Sequence, residues 1–211
     1  MASLVDKCFS EGDLKQITEA VKAAELKTSG EIAIMIAPHS KHWLVDRWLF
    51  SAALGIVFSL VSLYLTRESN WGTYYNFTQA ALWGVIGFLI GYFGINLWFK
   101  RLFARHKAVW KNALRHFAKL RPTRGHTGVL IFISVDENEA AIVADKAIAE
   151  RLDQNYWQLP HGMIEKAMQK GRHAEGIIEA IQEIATQLAQ FFPREADDIN
   201  ELPDGPEIVD L

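Results

Sequence analysis

Between residues 43 and 99 the chain carries two long apolar runs joined by a short polar turn. Residues 48–65 are 18 positions without an Asp, Glu, Lys or Arg, and residues 77–99 are 23 more. At a helical rise of about 1.5 Å per residue, the shorter run spans roughly 27 Å, close to the hydrocarbon thickness of a bilayer. The sequence therefore predicts a transmembrane helical hairpin over 43–99, and everything else is placed relative to it. About 150 residues remain, enough for one small globular domain with a core of its own.

The hairpin is nearly uncharged, and two regions of opposite sign follow it in the chain. Residues 100–124 hold nine Lys or Arg and no acid, whereas 194–211 hold seven acids and one base. Arg67 is the single Lys or Arg in the turn between the apolar runs, while Lys41, Arg47, Lys100, Arg101, Arg105 and Lys107 lie on the outer flanks. The positive-inside rule then puts both flanks, and so both termini, in the cytoplasm of a two-pass protein of the bacterial inner membrane. Residues 1–12 show no apolar signal-peptide core, so 48–65 is expected to act as a signal anchor. Cys8 is the sole cysteine, which excludes an intrachain disulfide framework.

Small residues recur at helical spacing in both runs: Ser51, Gly55 and Ser59 in the first, and Gly84, Gly87, Gly91 and Gly94 in the second. Such stripes let helix backbones approach closely in lipid, either within the hairpin or against a second copy, which makes a homo-oligomer an expectation. Trp43, Trp48 and Trp98 mark one membrane interface, and Tyr64, Trp71, Tyr74 and Tyr75 the other. Neither run has an ionisable residue in its middle, which argues for an anchor over a pore.

Outside the hairpin the pattern is α/β. Residues 11–28 read as an amphipathic helix opened by Ser10 and Asp13, and 31–37 (Glu-Ile-Ala-Ile-Met-Ile-Ala) as a buried strand. Residues 101–120 form a second amphipathic helix. Its apolar stripe runs through Val109, Trp110, Ala113, Leu114 and Phe117, and Arg101, Arg105, Lys107, Lys111 and Arg115 are candidates for contact with an anionic phospholipid surface. No nucleic-acid recognition motif accompanies that charge. Strands at 127–135 and 140–144 form an antiparallel hairpin, helices follow at 147–152, 154–170 and 174–192, and 194–211 reads as a disordered acidic tail.

The segments LKQITEAVKAAELKTSGEIAIMIA, TGVLIFISVDENEAAIVADKAIAERLDQNYW and MIEKAMQKGRHAEGIIEAIQEIATQLAQFFP resemble the TPM domain family. The resemblance covers about residues 13–37 and 103–193, and it implies a small α/β/α sandwich with a mostly parallel central sheet. The domain would comprise 1–42 and 100–193, interrupted by the hairpin at 43–99. Relatives in that family include thylakoid-lumen proteins, some with weak acid phosphatase activity and divalent-ion binding, and an accessory protein of a neurotransmitter receptor. Many members carry an acid just before the Gly-Val strand, where this chain has His126-Thr127. Many also carry a Gly-rich turn after the following strand, where it has Asp145-Lys146-Ala147.

His126, Thr127 and Asp145 are thus the candidate catalytic residues. An antiparallel hairpin brings them together, and such a cluster is able to hold a phosphate or a divalent ion. The competing reading makes Asp145 a helix cap and Thr127 a sheet residue. His39 and His42 lack the carboxylate or cysteine companions of a metal site, and no other metal spacing is visible, so no metal centre or cofactor is expected. Two functions follow. One is a membrane-anchored cytoplasmic scaffold that binds or positions a partner membrane protein or complex. The other is a weak phosphatase or divalent-ion-dependent hydrolase.

Overall fold

The structure is a computed structural model and describes residues 4–40, 44–66, 76–102, 105–120, 123, 125–194 and 200–210. The chain forms two compact units, one of residues 1–40 with 105–211 and one of residues 41–104. The first opens with α1 (Leu4–Cys8), α2 (Glu11–Glu25) and β1 (Glu31–Ala37). The second holds α3 (Leu44–Leu65) and α4 (Phe77–Leu102). The first unit then resumes with α5 (Arg105–Phe117), β2 (Gly128–Ser134), β3 (Glu139–Ala144) and the short α6 (Lys146–Ala149). A 3₁₀ turn, α7 (Gln158–Gln169), α8 (His173–Phe191) and β4 (Glu207–Ile208) complete it.

Local chemistry sets the boundaries. Ser10 and Asp13 form a capping box at the start of α2, with Ser10 Oγ accepting from the Asp13 N–H at 3.1 Å and Asp13 Oδ2 accepting from the Ser10 N–H at 2.8 Å. The helix stops at Glu25, short of residue 28, where Thr28 instead bridges Pro193 and its hydroxyl donates to the Phe192 carbonyl at 2.6 Å. Pro160 does not interrupt the following helix. It falls in the first turn of α7, where the absent N–H costs no helical hydrogen bond.

The sheet order is β3-β2-β1-β4. β1 pairs in parallel with β2 and with β4, and β2 pairs antiparallel with β3. Alternate residues feed two cores. Ile32, Ile34, Ile36, Ile131 and Ile133 pack with Ile17 and Val21 of α2, Ile164 and Met168 of α7, and Ile177, Ile181 and Ile184 of α8. Ala33, Met35, Leu130 and Phe132 pack with Val109 and Ala113 of α5. Burial on both faces explains why β1 and β2 are unbroken apolar runs without alternation. The fold is the expected α/β/α sandwich, with a mixed sheet whose one face packs chiefly on α2, α7 and α8 and whose other face packs on α5.

Two expectations need correction here. Residues 200–210 are ordered: β4 adds to the open edge of β1, the Val209 N–H donates to the Ile36 carbonyl at 3.0 Å, and Leu202 and Val209 are buried in the α5-side core. One long helix cannot cover that face alone. Two apolar side chains among the tail's seven acids fill the gap, each worth about 1.5–3 kcal/mol of burial. On α5 itself, only Val109 and Ala113 point fully into the core, with Asn112 beside them, whereas Trp110 and Leu114 are exposed.

In the second unit α3 and α4 pack as an antiparallel pair. A methyl group on Gly91 would lie 2.8 Å from Ser51 Cα, one on Gly55 2.9 Å from the Gly84 carbonyl, and one on Gly87 2.8 Å from Phe58 Cβ. Gly84 faces Ser59, whose hydroxyl donates to the Ala80 carbonyl at 3.0 Å. The small residues thus give backbone-to-backbone approach within the pair. Gly94 is the exception, with nothing within 4 Å of an added Cβ. Arg47, at the end of the apolar segment, donates to the Tyr92 hydroxyl at 3.0 Å. Arg47–Leu65 and Phe77–Gly94 are long and apolar enough to cross a membrane.

Candidate functional site

The edge strand β3 has polar side chains at both ends, about 20 Å apart for a rise of six residues. At its far end Asp145 is the N-cap of α6, and its Oδ1 accepts from the Lys146 N–H at 2.7 Å. Its other oxygen lies 3.5 Å from His126 Nδ1. His126 is exposed and sits in the left-handed region at φ 52°, an unusual conformation for a residue with a Cβ. Thr127 turns away from this pair. It is buried, and its hydroxyl donates to the Ser29 carbonyl at 3.1 Å while its N–H is held by Thr123 Oγ1 at 2.9 Å. Both sequence readings of this end therefore have a place in the geometry: Asp145 caps, His126 adjoins it, and Thr127 serves the sheet. Arg124 lies outside the described residues.

The near end of β3 holds a group that no local spacing announced. His106 comes from the first turn of α5, on one face of the sheet, and His161 from α7 on the other. Between them stands Glu139, the first residue of β3. Its Oε1 accepts from His106 Nδ1 at 2.8 Å and lies 3.7 Å from His161 Nε2. Nitrogen and oxygen atoms of the three residues lie within 4.8 Å of one another. His161 Nε2 is also 3.0 Å from the Ala140 carbonyl on the strand's unpaired edge, and its Nδ1 is 3.6 Å from Glu165 one helical turn on. The His106 ring stacks on Trp110. The His106 side chain is 67 % exposed and that of Glu139 13 %, so the group opens to solvent from the α5 side.

Charge shapes this group. Burial pushes the Glu139 carboxyl up, but contacts with His161 and His106 outweigh it and hold the group below its ordinary value. The adjacent Glu139 is the strongest influence on His161. With Glu165 it holds the imidazole above its ordinary value against desolvation. Burial raises Glu165, and the neighbouring Glu139 charge adds to the rise. Sequence reasoning missed the group because His106, Glu139 and His161 are far apart in the chain. The one legible signal was His161 and Glu165 at i, i+4 on one helix face.

Of the basic residues proposed to meet lipid, Lys107, Lys111 and Arg115 form an exposed i, i+4, i+8 row on α5. The side chains of Arg101 and Arg105 lie outside the described residues. A third polar group, at the β2–β3 turn, is structural. Glu137 is 2 % exposed, accepts from the Ser40 N–H at 3.0 Å and from the Ser134 hydroxyl, and the Asn112 side chain donates to the Ser40 carbonyl at 2.7 Å. Ser40, the last residue of the first unit before the apolar helices, is thereby held at both its N–H and its carbonyl.

The model of the TPM domain matches residues 101–187. No curated protein sequence matches the chain. Among solved structures, the NMR structure of the BA42 protein from the psychrophilic bacterium Bizionia argentinensis is similar, at 20 % identity and a TM-score of 0.57 over 95 % of both chains. At that identity the likeness is one of fold. It agrees with the two-faced sheet described above, and the match of the TPM domain model to residues 101–187 answers, for that part of the chain, the resemblance first read from three stretches of sequence.

Proposed function

We propose that the chain is a two-pass protein of the bacterial inner membrane whose TPM domain lies in the cytoplasm and binds or positions a partner membrane protein or complex. The observation that carries this reading is the surface of α3 and α4. Only 17 % of each candidate span is buried, and Leu49, Ile56, Leu60, Leu82, Ile90 and Phe93 are all exposed. A core helix of a soluble protein would be mostly buried, and an apolar surface of this extent is stable against lipid rather than water.

Strand pairing supports two crossings. β1 precedes the apolar helices and β2 follows them, yet the two are hydrogen-bonded neighbours from Glu31↔Gly128 to Ala37↔Ser134. The chain must return to the side it left, which an even number of spans achieves. Exposed Trp110 and Leu114 beside Lys107, Lys111 and Arg115 suit a helix lying at an anionic headgroup surface, where each cation contributes about 1 kcal/mol. Close packing within the α3–α4 pair uses most of the small residues internally, so self-association would rest on other faces, Gly94 among them.

In-membrane crosslinking of the full chain followed by purification tests this function. The reading expects a discrete partner or a discrete oligomer. Recovery of the monomer alone would overturn it, as would a phosphatase activity of the purified chain that disappears in Asp145→Ala.

A further inference from the structure

We propose that His106, Glu139 and His161 form a binding site for a divalent transition ion of the zinc type, with Glu165 as the positioning residue for His161. The site lies at the opposite end of β3 from His126 and Asp145 and does not depend on the membrane reading.

Three features carry the inference. The first is donor chemistry. Two imidazole nitrogens and one carboxylate oxygen make a set that favours zinc, cobalt or nickel, whereas magnesium and calcium prefer oxygen alone. Three protein ligands also leave a fourth, tetrahedral position open to water. The second is placement. The two histidines come from helices on opposite faces of the sheet and converge on a carboxylate at the edge between them, so the scaffold, not a flexible loop, sets the spacing. Their donor atoms already lie within 4.8 Å of one another. Tetrahedral ligands at zinc distances stand about 3.4 Å apart, so the ligands need to close by at most about 1.4 Å. The His106 ring, exposed and stacked on Trp110, is the ligand best placed to supply that movement.

The third feature lies outside the ligand set. His161 has Glu165 3.6 Å from Nδ1, while Nε2 is the nitrogen nearer Glu139. A carboxylate behind the non-ligating nitrogen is the arrangement that fixes imidazole orientation in metal sites. In the ion-free chain Nε2 faces the Ala140 carbonyl at 3.0 Å, so ion binding exchanges that contact for the metal and requires Nε2 to carry no proton. Entry is open, since His106 and the mouth of the group face solvent.

The test is titration of the untagged, metal-stripped full chain in detergent with Co²⁺, read by its visible d–d absorption, and then displacement by Zn²⁺. One equivalent of cobalt with a tetrahedral-type spectrum is expected, displaced by Zn²⁺ and unaffected by excess Mg²⁺ or Ca²⁺. Glu139→Gln and His161→Gln should abolish the spectrum. Glu165→Gln should retain it with affinity lower by roughly 10- to 100-fold. His126→Gln, at the other end of β3, should bind as the parent does. Far-UV circular dichroism on each variant separates loss of site from loss of fold. His106→Gln provides a second ligand variant on an exposed position. The proposal is overturned if the parent chain shows no such spectrum. It is equally overturned if the signal survives in the His106→Gln/His161→Gln double variant, or if it is lost in His126→Gln with the fold intact.

Discussion

A methyl group added at Gly84 would fall inside hard contact with Ser59 Oγ, but would lie 3.7 Å from Ser59 Cβ and 3.5 Å from the Gly55 carbonyl. The obstacle is one hydroxyl, and that hydroxyl holds the Ala80 carbonyl across the helix pair. Gly84→Ala must either push the helices apart or evict the hydroxyl. Overpacking costs about 1–3 kcal/mol, and an interhelical hydrogen bond in a membrane is worth about 0.6–1.7 kcal/mol. Ser59→Ala alone should therefore cost about 0.6–1.7 kcal/mol, and Gly84→Ala about 1–3 kcal/mol. The double variant should be no worse than Ser59→Ala, a coupling of about 1–3 kcal/mol in favour of the pair. Gly91 provides the contrast. Its added methyl would meet the Ser51 Cα at 2.8 Å, so Ser51→Ala cannot relieve Gly91→Ala. Reversible unfolding in mixed detergent micelles, followed by far-UV circular dichroism, measures all of these. If Gly84→Ala is neutral, or if its loss and that of Ser59→Ala simply add, the packing described for α3 and α4 is wrong.

Other expectations follow from the globular unit. Glu137→Ala leaves the buried Ser40 N–H and Ser134 hydroxyl without their acceptor, at about 1–3 kcal/mol each. Hydrogen exchange at Ser40 should accelerate strongly, and unchanged protection would refute the role given to Glu137. Glu25 is raised to about 8, first by burial and then by Glu31 and Asp204, despite a hydrogen bond from the Ile32 N–H. Its folded value lies above its unfolded value of 4.5, so its contribution is full below that and is lost as pH rises towards 8. Glu25→Gln should match the parent near pH 4 and exceed it above pH 8 by about 1–2 kcal/mol after solvent screening, read as a Tm difference that grows with pH. His161 is raised and Glu139 lowered, so their mutual stabilisation of the ion-free chain is greatest between about pH 4.5 and 6.5. The destabilisation caused by His161→Gln should shrink above neutrality, and a pH-independent loss would contradict the pairing. A spin label at Leu114→Cys in a Cys8→Ser background should report a lipid-like environment in anionic vesicles, whereas a fully aqueous signal would remove α5 from the headgroup surface.

The strands were legible because both faces of the sheet are covered, so β1 and β2 are continuous apolar runs closed by Gly30, Pro38 and Gly128. The apolar helices were legible for the same reason of composition. Near its edges the fold depended on partners distant in sequence. Residues 200–210 look unstructured by charge, and only the open edge of β1 and the thin cover on the α5 face make Leu202 and Val209 worth burying. Trp110 and Leu114 fit the apolar period of α5, but a helix lying alone on a sheet buries a narrower stripe than one in a bundle. Of the site residues, His126 and Asp145 were readable from strand-hairpin register. His106, Glu139 and His161 were not, because α5 and α7 reach β3 from opposite faces and no spacing in the chain records that meeting.

Two crossings of the membrane leave both termini on one side in the proposed topology. Site-directed labelling with a membrane-impermeant maleimide tests it directly, using Asn76→Cys and Glu11→Cys separately in a Cys8→Ser background in intact cells. Labelling of Asn76→Cys in intact cells, with labelling of Glu11→Cys only after the membrane is opened, is the predicted result. Labelling of Glu11→Cys in intact cells, or protection of Asn76→Cys until lysis, would contradict it.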